Sequence, residues 1–302
     1  LDNQGAKMNI LITGGTGFIG TGLCDALLKM SHTLVILSRK KKHSAPNTRF
    51  ISSLETLNPE EVFDVVINLA GEPIANKRWS KAQKSRILNS RLKTTQALID
   101  YLGKAHTKPN TLISGSAIGY YGIAKNDACI TENADSDNSF SSQLCQQWEA
   151  LATQATCYGV RVCKLRTGLV LGKKGGVLNK LLPQYKFGLG GEIGNAEQWM
   201  AWIHIDDMIN IILYCMQNPT IDGAINCTSP NPVTNREFNE SLAHSLKRPG
   251  FMRVPEFMIT LLFGQMGKEL LLSGKRVIPQ KIVKHGFEFN YPTLKTALTT
   301  LI

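Results

Sequence analysis

At 302 residues and 43% hydrophobic side chains, the chain has room for one large α/β domain, or one such domain carrying a smaller C-terminal lobe. No apolar run reaches the roughly 18 residues that cross a bilayer, which excludes a spanning segment; no membrane partner is expected. A formal charge of +11 admits nucleic acid, but no basic tail, helix-turn-helix signature or RNA-module motif accompanies it, so no nucleic-acid partner is expected. Seven cysteines without a Cys-x-x-Cys pair argue against a disulfide framework or a zinc ribbon and fit a reducing, cytoplasmic setting. Residues 1–7 (LDNQGAK), ahead of Met8, look like a tag remnant or disordered lead-in.

In chain order, Met8 to Thr13 is a short apolar run ended by glycine, as in a buried parallel strand. Phe18 to Met30 has helical spacing, Thr33 to Leu37 is a second strand, and Asp64 to Leu69 another. Ser80-Lys81-Ala82-Gln83 is a capping box opening a helix that can run to about Lys104. Thr111 to Ser114 predicts a strand, Ser141 to Thr156 a helix and Val160 to Leu165 a strand. Later come a glycine-rich loop, Gly188 to Gly191, and Trp202 to Asp207, where Asp206 can cap the next helix. Ala224 to Cys227 is a late strand and Thr234 to Glu237 another capping box. Alternating strands and helices at this spacing predict an α/β, doubly wound Rossmann sheet over 8–172, completed by strands around 199–228. Residues 173–302 then supply a substrate side and a smaller, mainly helical C-terminal lobe.

Gly14-Gly15-Thr16-Gly17-Phe18-Ile19-Gly20 lies between a predicted strand and a predicted helix, the context that gives a glycine loop meaning. Gly14 permits the tight turn, Gly17 a close approach to a pyrophosphate, and Gly20 close helix–sheet packing. Thr16, Phe18 and Ile19 complete the seat, at a helix N-terminus whose free N–H groups attract anions. The second strand ends Ser38-Arg39-Lys40-Lys41-Lys42 without an acid. A carboxylate there would bond a ribose 2′-OH, whereas Arg39 beside Ser38 can grip a 2′-phosphate, so NADP(H) is expected over NAD(H). A second basic stretch, seven Lys/Arg from Lys77 to Lys93, suits either a phosphorylated ligand or a solvated helix face.

Thr13 to Gly20, Asn68-Leu69-Ala70-Gly71 and Trp202 to Asp207 resemble segments of the extended and atypical short-chain dehydrogenases/reductases. Over nearly the whole chain the sequence is similar to the YfcH-type nucleoside-diphosphate-sugar epimerase family proteins, through Asn68 to Lys77 with Arg78-Trp79, Gly115 to Gly122, Gly188 to Gly191, Trp199 to Asp207 and Phe287 to Pro292. The resemblance implies that Arg39, Leu69, Ala70, Gly71, Glu72 and Arg91 line an NADP site. It also implies a small-molecule substrate, such as a nucleotide sugar, near the Gly188 loop.

That superfamily works with a serine and a Tyr-x-x-x-Lys pair one helical turn apart. Ser116 matches the serine, but aligning Glu149 with the acid that often follows the lysine puts Ser141 and Cys145 at the Tyr and Lys positions. Tyr121–Lys125 and Tyr291–Lys295 match the spacing only formally, in a loop and in the tail. Tyr120 and Tyr121, close to Ser116, remain as acid–base candidates, with aromatic packing over the pocket as the alternative. His204, between two isoleucines, fits a core residue better than a general base. Trp199 and Trp202 could wall a substrate pocket, and no metal-ligand cluster is expected. Two functions stay open: an NADP(H)-dependent oxidoreductase or epimerase-like enzyme, and a non-catalytic NADPH-binding regulatory or redox-sensing protein.

Overall fold

The computed structural model describes residues 6–40, 42–123 and 127–302. Most of the predicted lead-in, Lys41 and the Lys125 of the first formal Tyr–Lys match therefore lie outside the described residues. The principal sheet holds seven parallel strands: β1 Asn9–Thr13, β2 Thr33–Leu37, β3 Thr48–Ile51, β4 Val65–Asn68, β5 Thr111–Ala117, β6 Arg161–Thr167 and β7 Gly223–Cys227. Their spatial order is 3-2-1-4-5-6-7, a Rossmann arrangement that reverses direction between β1 and β4 and opens a crevice at their carboxyl ends.

Alternation along each strand divides the core between the two faces. Ile10, Ile12, Val65, Ile67 and Ile113 pack beneath α1 (Phe18–Lys29) and α5 (Ile205–Gln217), which bring Leu23, Leu27, Met208 and Ile211. Leu11, Val66, Leu112 and Val162 face the other way, under α2 (Lys81–Lys104) and α3 (Phe140–Thr153), against Leu98, Leu102 and Ala152.

β3 was not anticipated by the sequence reading. Its four residues, TRFI, at the sheet edge are buried only at Thr48 and Ile51 and carry too little apolar pattern to stand out. Three boundaries also move. β5 runs on to Ala117, so Ser116 lies within the strand rather than after it. α3 begins at Phe140 and gives way at Gln154 to a 3₁₀ turn, Gln154–Tyr158. The cap of α5 is His204, whose Nδ1 accepts from the Asp206 N–H at 3.1 Å, and not Asp206 itself.

A lobe beside the sheet contains α4 (Leu178–Lys186), α6 (Asn235–Leu246), α7 (Glu256–Phe263), α8 (Gln265–Leu270), α9 (Gln280–Lys284) and α10 (Leu294–Leu301). α7 and α8 pack against α2 and α3 through Phe263 and Met266, and Ile282 of α9 joins the core under the sheet, whereas Trp202, Phe238, Leu242, Leu294 and Leu298 form the core among α4, α6 and α10. Trp202 is fully buried there, with its indole N–H on the Asn231 carbonyl at 3.1 Å, so it does not wall a pocket. The tail is pinned to the sheet by the buried Asp207 carboxylate, which accepts from the Asn290 and Tyr291 N–H groups at 2.9 and 3.0 Å. Thr234 and Glu237 close the predicted capping box of α6 in both directions.

Candidate functional site

The glycine loop is held by steric necessity. Gly14 has φ +76°, and a Cβ there would sit 2.5 Å from the Leu69 carbonyl carbon. A Cβ on Gly20 would lie 2.2 Å from the Gly14 oxygen, so only glycine lets α1 come this close to β1. The Gly17 N–H donates to the Gly14 oxygen at 2.9 Å, which closes the turn. Thr16 and Gly17 are exposed, and no side chain caps α1, leaving the first N–H groups of the helix open to an anion. Phe18 is half-buried against the glycines of Gly172–Gly176, and Ile19 packs on the core below.

At the end of β2, Ser38 is buried and its hydroxyl donates to the Lys40 carbonyl at 2.9 Å, which fixes the turn. Arg39 follows with an exposed side chain that has no hydrogen bond or ion pair among the described residues. The other wall is 69–72. The Leu69 N–H donates to the Thr13 carbonyl, and the Thr13 hydroxyl to the buried Asn68 amide oxygen at 2.7 Å, which ties β1 to β4 under the crevice. Glu72 is anchored by backbone, its N–H on Ser90 Oγ at 2.8 Å and its carbonyl receiving Arg91 Nη1 at 3.0 Å. Arg91 stands behind this segment, its guanidinium 5.1 Å from the Trp148 ring and close enough that a Cβ on Gly71 would lie 2.9 Å from Cζ. Burial pulls its pKa below the ordinary arginine value. Gly14, Thr16, Gly17, Phe18, Ile19 and Gly20 after β1, Ser38 and Arg39 after β2, and Leu69, Ala70, Gly71 and Glu72 after β4 all follow the carboxyl ends of neighbouring strands, with Arg91 packed behind Gly71.

At the end of β5 a different construction appears. Ser116 is buried and donates to Glu149 Oε1 at 2.7 Å. Glu149 in turn receives both arms of Arg166, Nε at 2.8 Å and Nη2 at 3.0 Å. Arg166 Nη1 reaches the Tyr121 hydroxyl and the Glu132 carbonyl at 3.0 and 3.1 Å, and its guanidinium stacks 3.4 Å from the Tyr120 ring. Tyr121 donates to Asn226 Oδ1 at 2.6 Å and is fully buried. Burial, partly offset by Arg166, pushes its phenol up to about 12. A phenol enclosed in this way does not reach the crevice, which corrects its candidacy as proton donor. Tyr120 is half-buried, stacked on Arg166 and packed edge-on against the Tyr121 ring.

The beginning of α3 is occupied too. Glu269 of α8 accepts from the Phe140 and Ser141 N–H groups at 3.2 and 2.9 Å and from Ser141 Oγ at 2.7 Å, satisfying the helix end from another element. Cys145, one turn on, is buried, and burial pushes its thiol up to about 11. Nor does the formal Tyr291–Lys295 match make a site, since the Tyr291 ring lies 3.8 Å from that of His204. His204 is itself buried, with Nε2 3.2 Å from Thr300 Oγ1, and burial lowers its pKa against the pull of Asp206. Trp199 is half-buried, donates to Asp127 at 3.2 Å and has Arg276 over its ring.

Arg166, Glu132 and Glu269 were not singled out by the sequence, and Glu149 entered only as an alignment marker rather than as a partner of Ser116. A signal existed for Glu149, which lies inside the predicted Ser141 to Thr156 helix, whereas Arg166 falls one residue past the predicted Val160 to Leu165 strand and enters it only because the strand runs on to Thr167.

A family profile described as "NAD dependent epimerase/dehydratase family" matches residues 10–227, and a "Domain of unknown function (DUF1731)" matches 254–301. The chain belongs to the NAD dependent epimerase/dehydratase family. Among relatives in this epimerase family, it is 38% identical to epimerase family protein YfhF of Bacillus subtilis (strain 168) over 98% of both chains. The crystal structure of human epimerase family protein SDR39U1 (isoform 2) with NADPH superposes with a TM-score of 0.89 at 32% identity, covering 97% of this chain and 99% of that one. The nucleoside-diphosphate sugar epimerase from Corynebacterium glutamicum superposes at 0.79 with 27% identity, covering 97% of this chain and 58% of that one. No helix among the described residues is long and apolar enough to cross a membrane, and no group of three or more His, Cys, Asp or Glu among them could hold a metal ion.

Proposed function

We propose that this chain binds NADP(H) along Gly14–Gly20 and Arg39 and acts as an oxidoreductase or epimerase-like enzyme on a nucleotide sugar or a related hydroxyl or carbonyl compound. The observation that carries the reading is the pairing of an uncapped α1 N-terminus with Arg39 at the end of a β2 that bears no acid. The glycines leave room where a Cβ would collide, and the exposed guanidinium has no competing partner among the described residues. NADPH on the human relative and the nucleotide-sugar name of the Corynebacterium relative support the same assignment, as does the YfcH-type resemblance.

A bound nicotinamide would supply hydride exchange with the substrate carbon. The residues of the chain then have distinct tasks. The α1 N–H groups hold the pyrophosphate and Arg39 the 2′-phosphate; Leu69 to Glu72 exclude water from one side. Ser116 Oγ already gives its proton to Glu149, so toward a substrate it can only accept a hydrogen bond, which selects a hydroxyl over a carbonyl at that point. Arg166 holds Glu149 in place for this task through both guanidinium arms. Tyr120, stacked on Arg166, is the remaining phenol for proton exchange.

The second reading, a non-catalytic NADPH-binding regulatory or redox-sensing protein, is favoured by Ser141 and Cys145 at the superfamily's Tyr and Lys positions and by Glu269 filling the α3 end. Purified protein offered nucleotide sugars and carbonyl compounds, with NADPH absorbance followed, separates the two. The enzyme reading expects turnover that Tyr120→Phe slows by about a hundredfold. Tight NADPH binding with no turnover on any compound selects the second reading.

A further inference from the structure

The outer end of the lobe exposes large apolar side chains in a way the crevice does not explain. Phe187 and Leu189, in the loop after α4, are 82% and 60% exposed, and Phe251 is 79% exposed. These lie together: a Cβ on Gly188 would be 3.6 Å from the Pro249 ring, the Met252 N–H donates to the Gly190 carbonyl, and Gly191–Ile193 pairs in parallel with Met252–Val254. The chain then enters α7, whose Phe257 and Leu261, on the face opposite the buried Ile259, are 69% and 71% exposed, and whose Leu262, beside Ile259, is 57% exposed. Side chains so bare touch almost no protein, so they wall no enclosed substrate site. A soluble surface seldom carries so many large apolar groups in one stretch.

The charge around them identifies the partner. Lys186 precedes Phe187, and Lys247 and Arg248 precede Phe251; all three are exposed and without an ion pair among the described residues. From 247 to 268 the only acid is Glu256. Protruding Phe and Leu side chains with a basic rim are complementary to the headgroup boundary of an anionic bilayer. A second copy of the chain would bring two basic rims together, which the charge disfavours. We propose that this tip, comprising the Phe187–Leu189 loop, Phe251 and the open face of α7, docks on an anionic membrane surface. The sequence argument that excludes a spanning helix does not bear on this, because a surface site needs only a few side chains at the interface.

The test is co-sedimentation of the full chain with vesicles of phosphatidylcholine alone or with about one-third phosphatidylglycerol, at low and high salt. Alongside the wild type run Phe251→Ser/Phe257→Ser/Leu261→Ser and, separately, Lys247→Glu/Arg248→Glu. NADPH binding and melting temperature of each variant report that it is folded. Expected are wild-type binding to the anionic vesicles that salt weakens, a loss of about tenfold or more in the apolar variant, and a loss in the charge variant. Wild-type protein that stays in the supernatant with every vesicle, or an apolar variant that sediments as the wild type does, overturns the proposal. So does a dimer in analytical ultracentrifugation that the apolar variant dissociates while vesicles bind nothing; that result assigns the tip to a second copy.

Discussion

At the carboxyl ends of β1 and β2 the chain works with bare backbone and one free guanidinium, whereas at the end of β5 it works with interlocked side chains. The first region leaves its donors unspent: the α1 N–H groups lack a cap and Arg39 extends into solvent. The second spends nearly all of them, running Ser116–Glu149–Arg166–Tyr121–Asn226 as one buried chain of bonds. Unspent donors are the mark of a binding seat and spent ones of a frame. In the function proposed above, the first end is the binding seat and the second a frame that also carries Ser116 and Tyr120.

The sharpest way to break that contrast is Arg166→Met, which leaves Glu149 charged and buried without its partner. Urea unfolding should show a loss of about 3–5 kcal/mol, far beyond what any exposed arginine gives; a loss below about 1 kcal/mol would mean the β5 end is not a frame. Next comes Gly20→Ala, whose Cβ would stand 2.2 Å from a backbone oxygen that no rotamer can move. Displacing α1 should weaken NADPH by about a hundredfold in fluorescence titration, and unchanged affinity would show that the close approach is not needed. The smallest effect concerns the α5 cap. Burial holds the folded His204 pKa below its ordinary 6.5, so the unfolded chain binds more protons between the two values. That contribution to stability is present above about 6.5 and falls as the pH drops toward the folded value. His32 is lowered in the same direction by burial. His204→Asn keeps a cap without a titrating ring, and its melting temperature should fall less than that of the wild type from neutral to mildly acid pH.

What the sequence displayed, and what it hid, follow from the same contrast. β1, β2 and the glycine loop were legible because backbone geometry writes itself in residue type: Gly14 at positive φ and Gly20 against β1 admit no other residue. The doubly wound sheet was legible because Ile10, Leu11 and Ile12 form a run buried on both faces. The frame was hidden because its partners are far apart in the chain. Ser116 and Glu149 are 33 residues apart, Tyr121 and Asn226 105, and Ser141 and Glu269 128. No local spacing carries such pairs, so Tyr121 looked available; the α5 cap was misread for a local reason, since Asp is a common cap residue and the imidazole of His204 two residues earlier takes that place. The apolar tip was hidden for a related reason, since Phe251 and Leu261 differ from core residues only in what fails to cover them.

The most direct test of the binding seat is a fluorescence titration of wild-type protein and Arg39→Ala with NADPH and with NADH. The account predicts that the wild type prefers NADPH by about ten- to hundredfold, that Arg39→Ala loses this preference, and that NADH affinity hardly changes between the two proteins. Equal affinity of the wild type for both dinucleotides, or a preference that survives the loss of Arg39, would contradict it.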